Sequence, residues 1–157
     1  MNIYLVQHGK PVSKEENPEK PLSEKGIEDI ERIAGFLERV GGGVQVKEIF
    51  HSGKTRARQT AEILSSRLLS GREPKVKAGL SPLDDVKIIS GEILQMRNDF
   101  MFVGHLPHLA KLTSYLTTGN VSGSVVGFQQ GGVVCLRYND EEADWTIAWM
   151  VLPEIIL

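Results

Sequence analysis

Apolar residues along the chain come in short runs that alternate with longer amphipathic stretches. The run Ile3-Tyr4-Leu5-Val6 is β-branched and aromatic, which predicts a strand over residues 2–6. Residues 23–40 repeat at helical spacing instead. Ile27, Ile30, Ile33, Ala34 and Leu37 share one face, and Ser23 stands where an N-cap belongs. A second strand is expected at 46–50 and a second helix at 55–69, with Ala57, Ala61, Leu64 and Leu68 on its apolar side. Residues 75–77 fit a short edge strand, 86–96 a helix, 100–103 a strand, and 106–117 a helix with Pro107 in its first turn. Strands at 133–138 and 145–152 flank the acidic turn Asn139-Asp140-Glu141-Glu142. Trp145 and Trp149 stand four apart in one strand, so the pleat puts them on one face, for core packing or a subunit contact.

Repeated strand–helix alternation implies a mostly parallel sheet with helices on both faces, a three-layer α/β/α sandwich; the closing hairpin makes the sheet mixed. Residues 11–21 are polar and hold three prolines, so they read as a loop. Gly41-Gly42-Gly43 reads as a helix stop, since no Lys-Ser/Thr follows to make a phosphate loop. A length of 157 residues fits one domain spanning 1–157.

Composition narrows the function classes. Eighteen basic residues against twenty acidic ones give a net charge of -2, which carries no nucleic-acid footprint, so no nucleic-acid partner is expected. No apolar run approaches the ~18 residues of a membrane span. The apolar start is too short for a signal-peptide core and lacks a basic flank. A soluble cytoplasmic protein with no membrane partner is expected. The single Cys135, in the apolar run Val133-Val134-Cys135-Leu136, excludes an internal disulfide framework and reads as an inert core residue.

The chemistry concentrates at strand ends. His8 follows the first strand, His51 the second, and His105 follows the 100–103 strand through Gly104. In open α/β sheets, ligands bind outside the carboxyl ends of the strands. Arg56 falls in the first turn of the second helix, where free N–H groups and the macrodipole already favour an anion. Lys10 and Lys54 lie in two of the same loops. Taken singly, each feature has a plain structural reading: a satisfied histidine, a solvated arginine. His105 and His108 resemble a metal pair by spacing, but Pro107 and the lack of a carboxylate at helical spacing speak against it. No metal or cofactor is expected.

Together these segments resemble a known family. Leu5-Val6-Gln7-His8-Gly9 resembles the Arg-His-Gly motif of the histidine phosphatase superfamily, whose fold is phosphoglycerate mutase-like. Pro21-Leu22-Ser23-Glu24-Lys25-Gly26 is similar to that family's helix opening. Ser52 with Thr55-Arg56-Ala57-Arg58-Gln59-Thr60-Ala61 resembles its second motif, and Val103-Gly104-His105-Leu106-Pro107 its third. The resemblance covers nearly the whole chain, and the short length is similar to the SixA-type phosphohistidine phosphatases. It implies that His8 is the nucleophile, Arg56 a phosphate clamp and His105 the second catalytic histidine. Phosphate would be bound by Gln7, Lys10, Ser52 and Arg56, with charge from Arg56, a protonated His105 and the helix N-terminus. Two positions depart from the family. Gln7 stands for Arg, which removes a clamp charge, and Gly53 stands for Pro, which is expected to loosen the loop.

The implied activity removes phosphate from a phosphorylated histidine protein through a covalent phosphohistidine. The implied partner is a phosphorylated histidine-containing phosphotransfer protein or a phosphotransferase-system protein. Leu80-Ser81-Pro82-Leu83 stands where many relatives present Glu, so no carboxylate is well placed as a general acid. Asp84 and Asp85 follow it. Two alternatives remain. One is a small-molecule phosphomonoesterase or mutase using Asp84 or Asp85. The other is a weakly active phosphate- or phosphohistidine-binding protein, because Gln7 replaces Arg. The apolar tail 151–157 packs on its own sheet or on a second subunit, and the oligomeric state stays open.

Overall fold

A computed structural model describes residues 1–156; Leu157, at the end of the apolar tail, lies outside the described residues. The elements are β1 (Asn2–Gln7), α1 (Glu24–Arg39), β2 (Glu48–His51), α2 (Thr55–Leu68), β3 (Lys75–Val76), α3 (Val86–Met96), β4 (Phe100–Gly104), α4 (His108–Thr118), β5 (Val133–Asn139) and β6 (Asp144–Val151). Short 3-10 turns follow α1 and β6.

The six strands form one sheet in the order β3-β2-β4-β1-β5-β6. β3, β2, β4 and β1 run parallel, and β5 and β6 return antiparallel. The pleat divides β1 between two cores. Tyr4 and Val6 pack with Ile30, Ile33 and Leu37 of α1 and Ala57, Ala61 and Leu64 of α2. Ile3 and Leu5 pack with Ile89 and Ile93 of α3 and Leu109 and Leu112 of α4. Two helices on each face make the three-layer sandwich expected from the pattern.

The entry to α1 is tied to the loop after β1. Ser23 Oγ accepts the Gly26 N–H at 3.1 Å, and Ser23 Oγ donates to the Lys10 carbonyl at 2.8 Å. A Cβ on Gly26 would collide with the Lys10 backbone. This close approach explains the Ser-Glu-Lys-Gly opening of the helix.

Two local expectations fail. α4 starts at His108, two residues later than the pattern suggests, with Pro107 as its N-cap residue. Leu109 N–H bonds the His105 carbonyl at 2.9 Å and Lys111 N–H the Pro107 carbonyl at 3.1 Å, and at this end of the helix a residue without an N–H loses nothing. Trp145 and Trp149 lie on opposite faces. β5–β6 pairs Leu136 with Ile147 but Cys135 with Trp149, a bulge that adds one residue between the tryptophans. Trp145 therefore packs on Tyr138 at 5.2 Å beside α3 and α4, whereas Trp149 packs on Tyr4 at 5.9 Å on the α1 and α2 side. In the tail, Ile156 is buried in the core beneath α1, while Ile155 stays exposed. Among the described residues no helix is long and apolar enough to cross a membrane.

Candidate active site

Strand register brings the chemistry to one level. Gln7 pairs with Gly104 and His51 with Val103, so β1, β2 and β4 end together. The next residues of each strand then emerge side by side. The His8 N–H bonds the Gly104 carbonyl at 3.1 Å. The His8 and His105 rings lie 5.0 Å apart between centroids, tilted by 52°. Arg56, in the first turn of α2, points its Nε–H at His8 Nε2 at 3.4 Å. Ser52 Oγ shares a 2.6 Å hydrogen bond with His105 Nε2. Thus His8, Ser52, Arg56 and His105 converge from three separate strand–helix units.

His8 is held in the form that a nucleophile requires. Its Nδ1–H donates to the Gly9 carbonyl at 2.7 Å, which leaves the Nε2 lone pair facing the Arg56 guanidinium. Burial lowers its pKa to about 4; the Gly9 carbonyl opposes this, and the positive charges of Arg56 and Lys20 add to it. At neutral pH the ring is uncharged, the form that can attack phosphorus.

His105 differs from expectation. Burial first, then His8, Arg56, Lys54 and His108, lower its pKa to about 3. Its Nδ1 is buried without a hydrogen-bond partner. The protonated ring expected from the sequence is therefore disfavoured by its surroundings, because the site is buried and Arg56 and Lys54 already bring positive charge to it. Arg56 carries the charge here, with Lys54 and Lys20 near it, and His105 is a neutral hydrogen-bonding ring against Ser52.

The second motif also holds the loops in place. Thr60 Oγ1 accepts the Gly9 N–H at 3.0 Å and donates to the Arg56 carbonyl at 2.8 Å. Gln59 Oε1 accepts the Leu22 N–H at 2.7 Å. Both join the chain after β1 to α2, and so set His8 against Arg56. The Gly53 change does not loosen its loop. Gly53 adopts φ +93°, which proline cannot, and its N–H donates to His51 Nδ1 at 3.1 Å, a donor proline lacks. The substitution makes a defined turn.

Gln7 and Lys10 flank His8 and Gly9 in the chain. They line a cleft of about 440 Å³ beside the site, walled also by residues 128–130 and the start of α1. Gln7 Oε1 is buried and has no partner among the described residues. Asp84 and Asp85 are engaged locally. Asp84 Oδ2 accepts the Ser81 N–H, and Asp85 caps α3 through the Lys87 N–H, each at 2.9 Å. His108 is buried, and burial lowers its pKa against the opposing pull of Asp84 and the Gly79 backbone. Among the described residues no three His, Cys, Asp or Glu side chains are grouped to hold a metal ion.

Two contributors escaped the sequence reading. Thr60 was visible only as a motif letter, because its partner Gly9 is 51 residues away. Lys20 sits in the loop before α1, which folds back through Val12 N–H to the Pro21 carbonyl at 2.8 Å, and so comes near enough to act on His8. A positively charged residue next to Pro21 was the only available signal.

No curated protein matches the chain. Among solved structures, the protein histidine phosphatase SixA complexed with tungstate superposes with TM-score 0.84 at 22% identity, over 98% of this chain and 97% of that one. An alpha-ribazole phosphatase from Shigella flexneri gives TM-score 0.74 at 15% identity, over 98% and 96%. A phosphoserine phosphatase variant from Entamoeba histolytica, in complex with phosphoserine, gives 0.73 at 12% identity over 99% of both chains. Likeness at these identities establishes the shared fold. The family model of the histidine phosphatase superfamily (branch 1) matches residues 3–84, a segment that holds His8, Ser52 and Arg56. With that match covering more than half of its length, the chain belongs to the histidine phosphatase superfamily, and its activity is that of a phosphatase.

Proposed function

We propose that this phosphatase removes the phosphoryl group from a phosphorylated histidine in a protein, and that His8 carries it as a covalent intermediate. His8 Nε2 attacks phosphorus while the N–P bond of the substrate breaks, and the departing imidazole takes a proton from solvent. Water then attacks the phosphoryl group, the His8 N–P bond breaks, and inorganic phosphate leaves. Arg56 offers a charged fork to the equatorial oxygens in both steps, and the N–H groups opening α2 add partial positive charge. Ser52 and His105 offer neutral hydrogen bonds.

The observation that carries the substrate class is the engagement of Asp84 and Asp85. An alkoxide leaving from a phosphate ester needs a proton from a general acid. The carboxylates nearest in sequence to the expected position instead hold the Ser81 and Lys87 amides. An imidazole is a better leaving group and needs less acid help, which favours an N–P substrate. The SixA protein, a histidine phosphatase, has the same fold. A phosphorylated histidine-containing phosphotransfer protein is the partner that fits this chemistry.

A second reading has support of its own. The neighbours of Shigella flexneri and Entamoeba histolytica are phosphatases of small molecules on the same fold. Steady-state phosphate release decides between the two. The proposal expects kcat/KM to be highest on a histidine-phosphorylated phosphotransfer protein, above phosphoserine and an aryl phosphate. Faster turnover of either small ester would overturn it.

A further inference from the structure

The cleft beside His8 is not used by the phosphoryl chemistry described above, yet it begins at the residue immediately before the nucleophile. Its lining differs in kind from the Arg56 side. Lys10 and Lys25 are matched there by Asp29 and Glu154, so the cleft has no excess charge. Lys25 is already paired with Asp29 at 3.3 Å, and Arg32 binds the same carboxylate at 2.6 Å. A second phosphate or the carboxylate of a small metabolite would find no net cation to meet it.

What the cleft does offer is carboxamides. Gln7, Gln129 and Gln130 all line it, with Phe128 as an apolar wall. Gln7 is only 8% exposed, and its Oε1 is buried with no partner. An unmade hydrogen bond at a buried polar atom costs roughly 1–3 kcal/mol, so such an atom marks a place for a donor. A carboxamide presents a donor and an acceptor together, which matches the paired N–H and C=O of a peptide group. Arginine at position 7 has donors only, and would supply charge in place of an acceptor. The loop that carries Gln129 is fixed to the nucleophile itself, because the Gly131 N–H bonds the Gln7 and His8 carbonyls at 3.0 and 3.2 Å.

We infer that this cleft is a polypeptide subsite: it holds main chain flanking the phosphorylated residue, with Gln7 Oε1 accepting an N–H from that segment and Gln129 and Gln130 pairing with adjacent peptide groups. This rests on the phosphohistidine reading above and adds that the substrate is recognised as a protein, not as an isolated phosphoimidazole. It also assigns a purpose to glutamine at position 7, as an acceptor toward the substrate chain.

The test compares two substrates with the same N–P bond, the free amino acid phosphohistidine and a phosphotransfer protein phosphorylated on histidine, with an aryl phosphate as the reference. Gln129 and Gln130 are exposed, so Gln129→Ala with Gln130→Ala should leave the fold intact. Losing one or two hydrogen bonds predicts a drop of about tenfold in kcat/KM on the phosphoprotein. On free phosphohistidine the double variant should match the wild type. Gln7→Leu, which keeps the bulk and removes the acceptor, should shift the ratio of the two substrates the same way. Equal losses on both substrates, or no loss on either, would overturn the subsite while leaving the phosphohistidine reading in place. If the wild type hydrolyses the aryl phosphate but neither N–P substrate, that reading fails and the subsite falls with it.

Discussion

The two sides of His8 are built from different materials. On the α2 side, Arg56 faces His8 Nε2 and Ser52 holds His105; burial lowers the pKa of both rings, and Lys20 adds to this at His8 and Lys54 at His105. On the other side, Gln7, Gln129 and Gln130 line a cleft whose lysines are balanced by carboxylates, and an amide oxygen has no partner among the described residues. The contrast separates two tasks. Stabilising a phosphoryl group needs fixed positive charge close to the reacting atom, where low dielectric makes it effective. Recognising a neutral peptide needs paired donors and acceptors, where an extra charge would be an unpaired cost. With glutamine at position 7, Arg56 is the arginine that faces His8 Nε2.

The comparison can be broken from either side. The largest effect should come from the group between them: His8→Ala removes the atom that takes the phosphoryl group, and steady-state phosphate release should vanish. On the charged side, Arg56→Ala should lower kcat by about 10²–10³, the ~2.7–4 kcal/mol typical of a lost transition-state stabiliser. The loss should appear on all substrates alike, since every one presents the same phosphoryl oxygens. His105→Ala should cost less than Arg56→Ala, because a neutral hydrogen bond is weaker than a charge-assisted one. An equal or greater loss at His105 would restore the charged role that the sequence implied.

Crossing the two materials sharpens the contrast further. Gln7→Arg brings an unbalanced charge to the side whose charges cancel. A charge-assisted bond exceeds a neutral one by about 0.5–2 kcal/mol, so hydrolysis of an aryl phosphate should rise roughly tenfold or less. The phosphoprotein should gain less, because the acceptor toward its chain is lost. Equal gains on both substrates would show that Gln7 is only a weakened clamp.

The remaining effect is on stability and does not involve turnover. Burial holds His8 and His105 neutral, with pKa values of about 4 and about 3 against an ordinary 6.5. The unfolded chain therefore binds more protons than the folded one below neutrality. Folding stability should be at full strength above about pH 6.5 and fall progressively as pH drops toward 4 and 3, by an amount on the order of a few kcal/mol. Denaturant midpoints at a series of pH values will show this slope, and replacing both histidines with asparagine should reduce it to the part that His51 and His108, also lowered by burial, contribute.

Most of this architecture is legible in residue order. Apolar runs and helical spacing place every strand and helix, and the strand-end histidines with Arg56 fall together because a parallel sheet puts all its carboxyl ends on one edge. What the pattern misses is set by pairing across the chain. The bulge between Cys135 and Leu136 reverses the face of Trp149, and nothing in the local alternation records it. The ionisation of His105 depends on how deeply it is buried and on positive neighbours drawn from other loops, which spacing does not give. Gln7 reads as a phosphate ligand by its place before His8, yet the cleft it lines is completed by residues more than a hundred positions later.

The central claim is that His8 becomes phosphorylated in every turnover. Rapid acid-free quenching of the enzyme with excess histidine-phosphorylated phosphotransfer protein, followed by intact-mass and peptide analysis, measures it directly. The account predicts a transient addition of one phosphoryl group per chain, labile to acid, located on His8 and absent in His8→Ala. Phosphate release at the wild-type rate with no phosphorylated His8, or with the label on another residue, would contradict it.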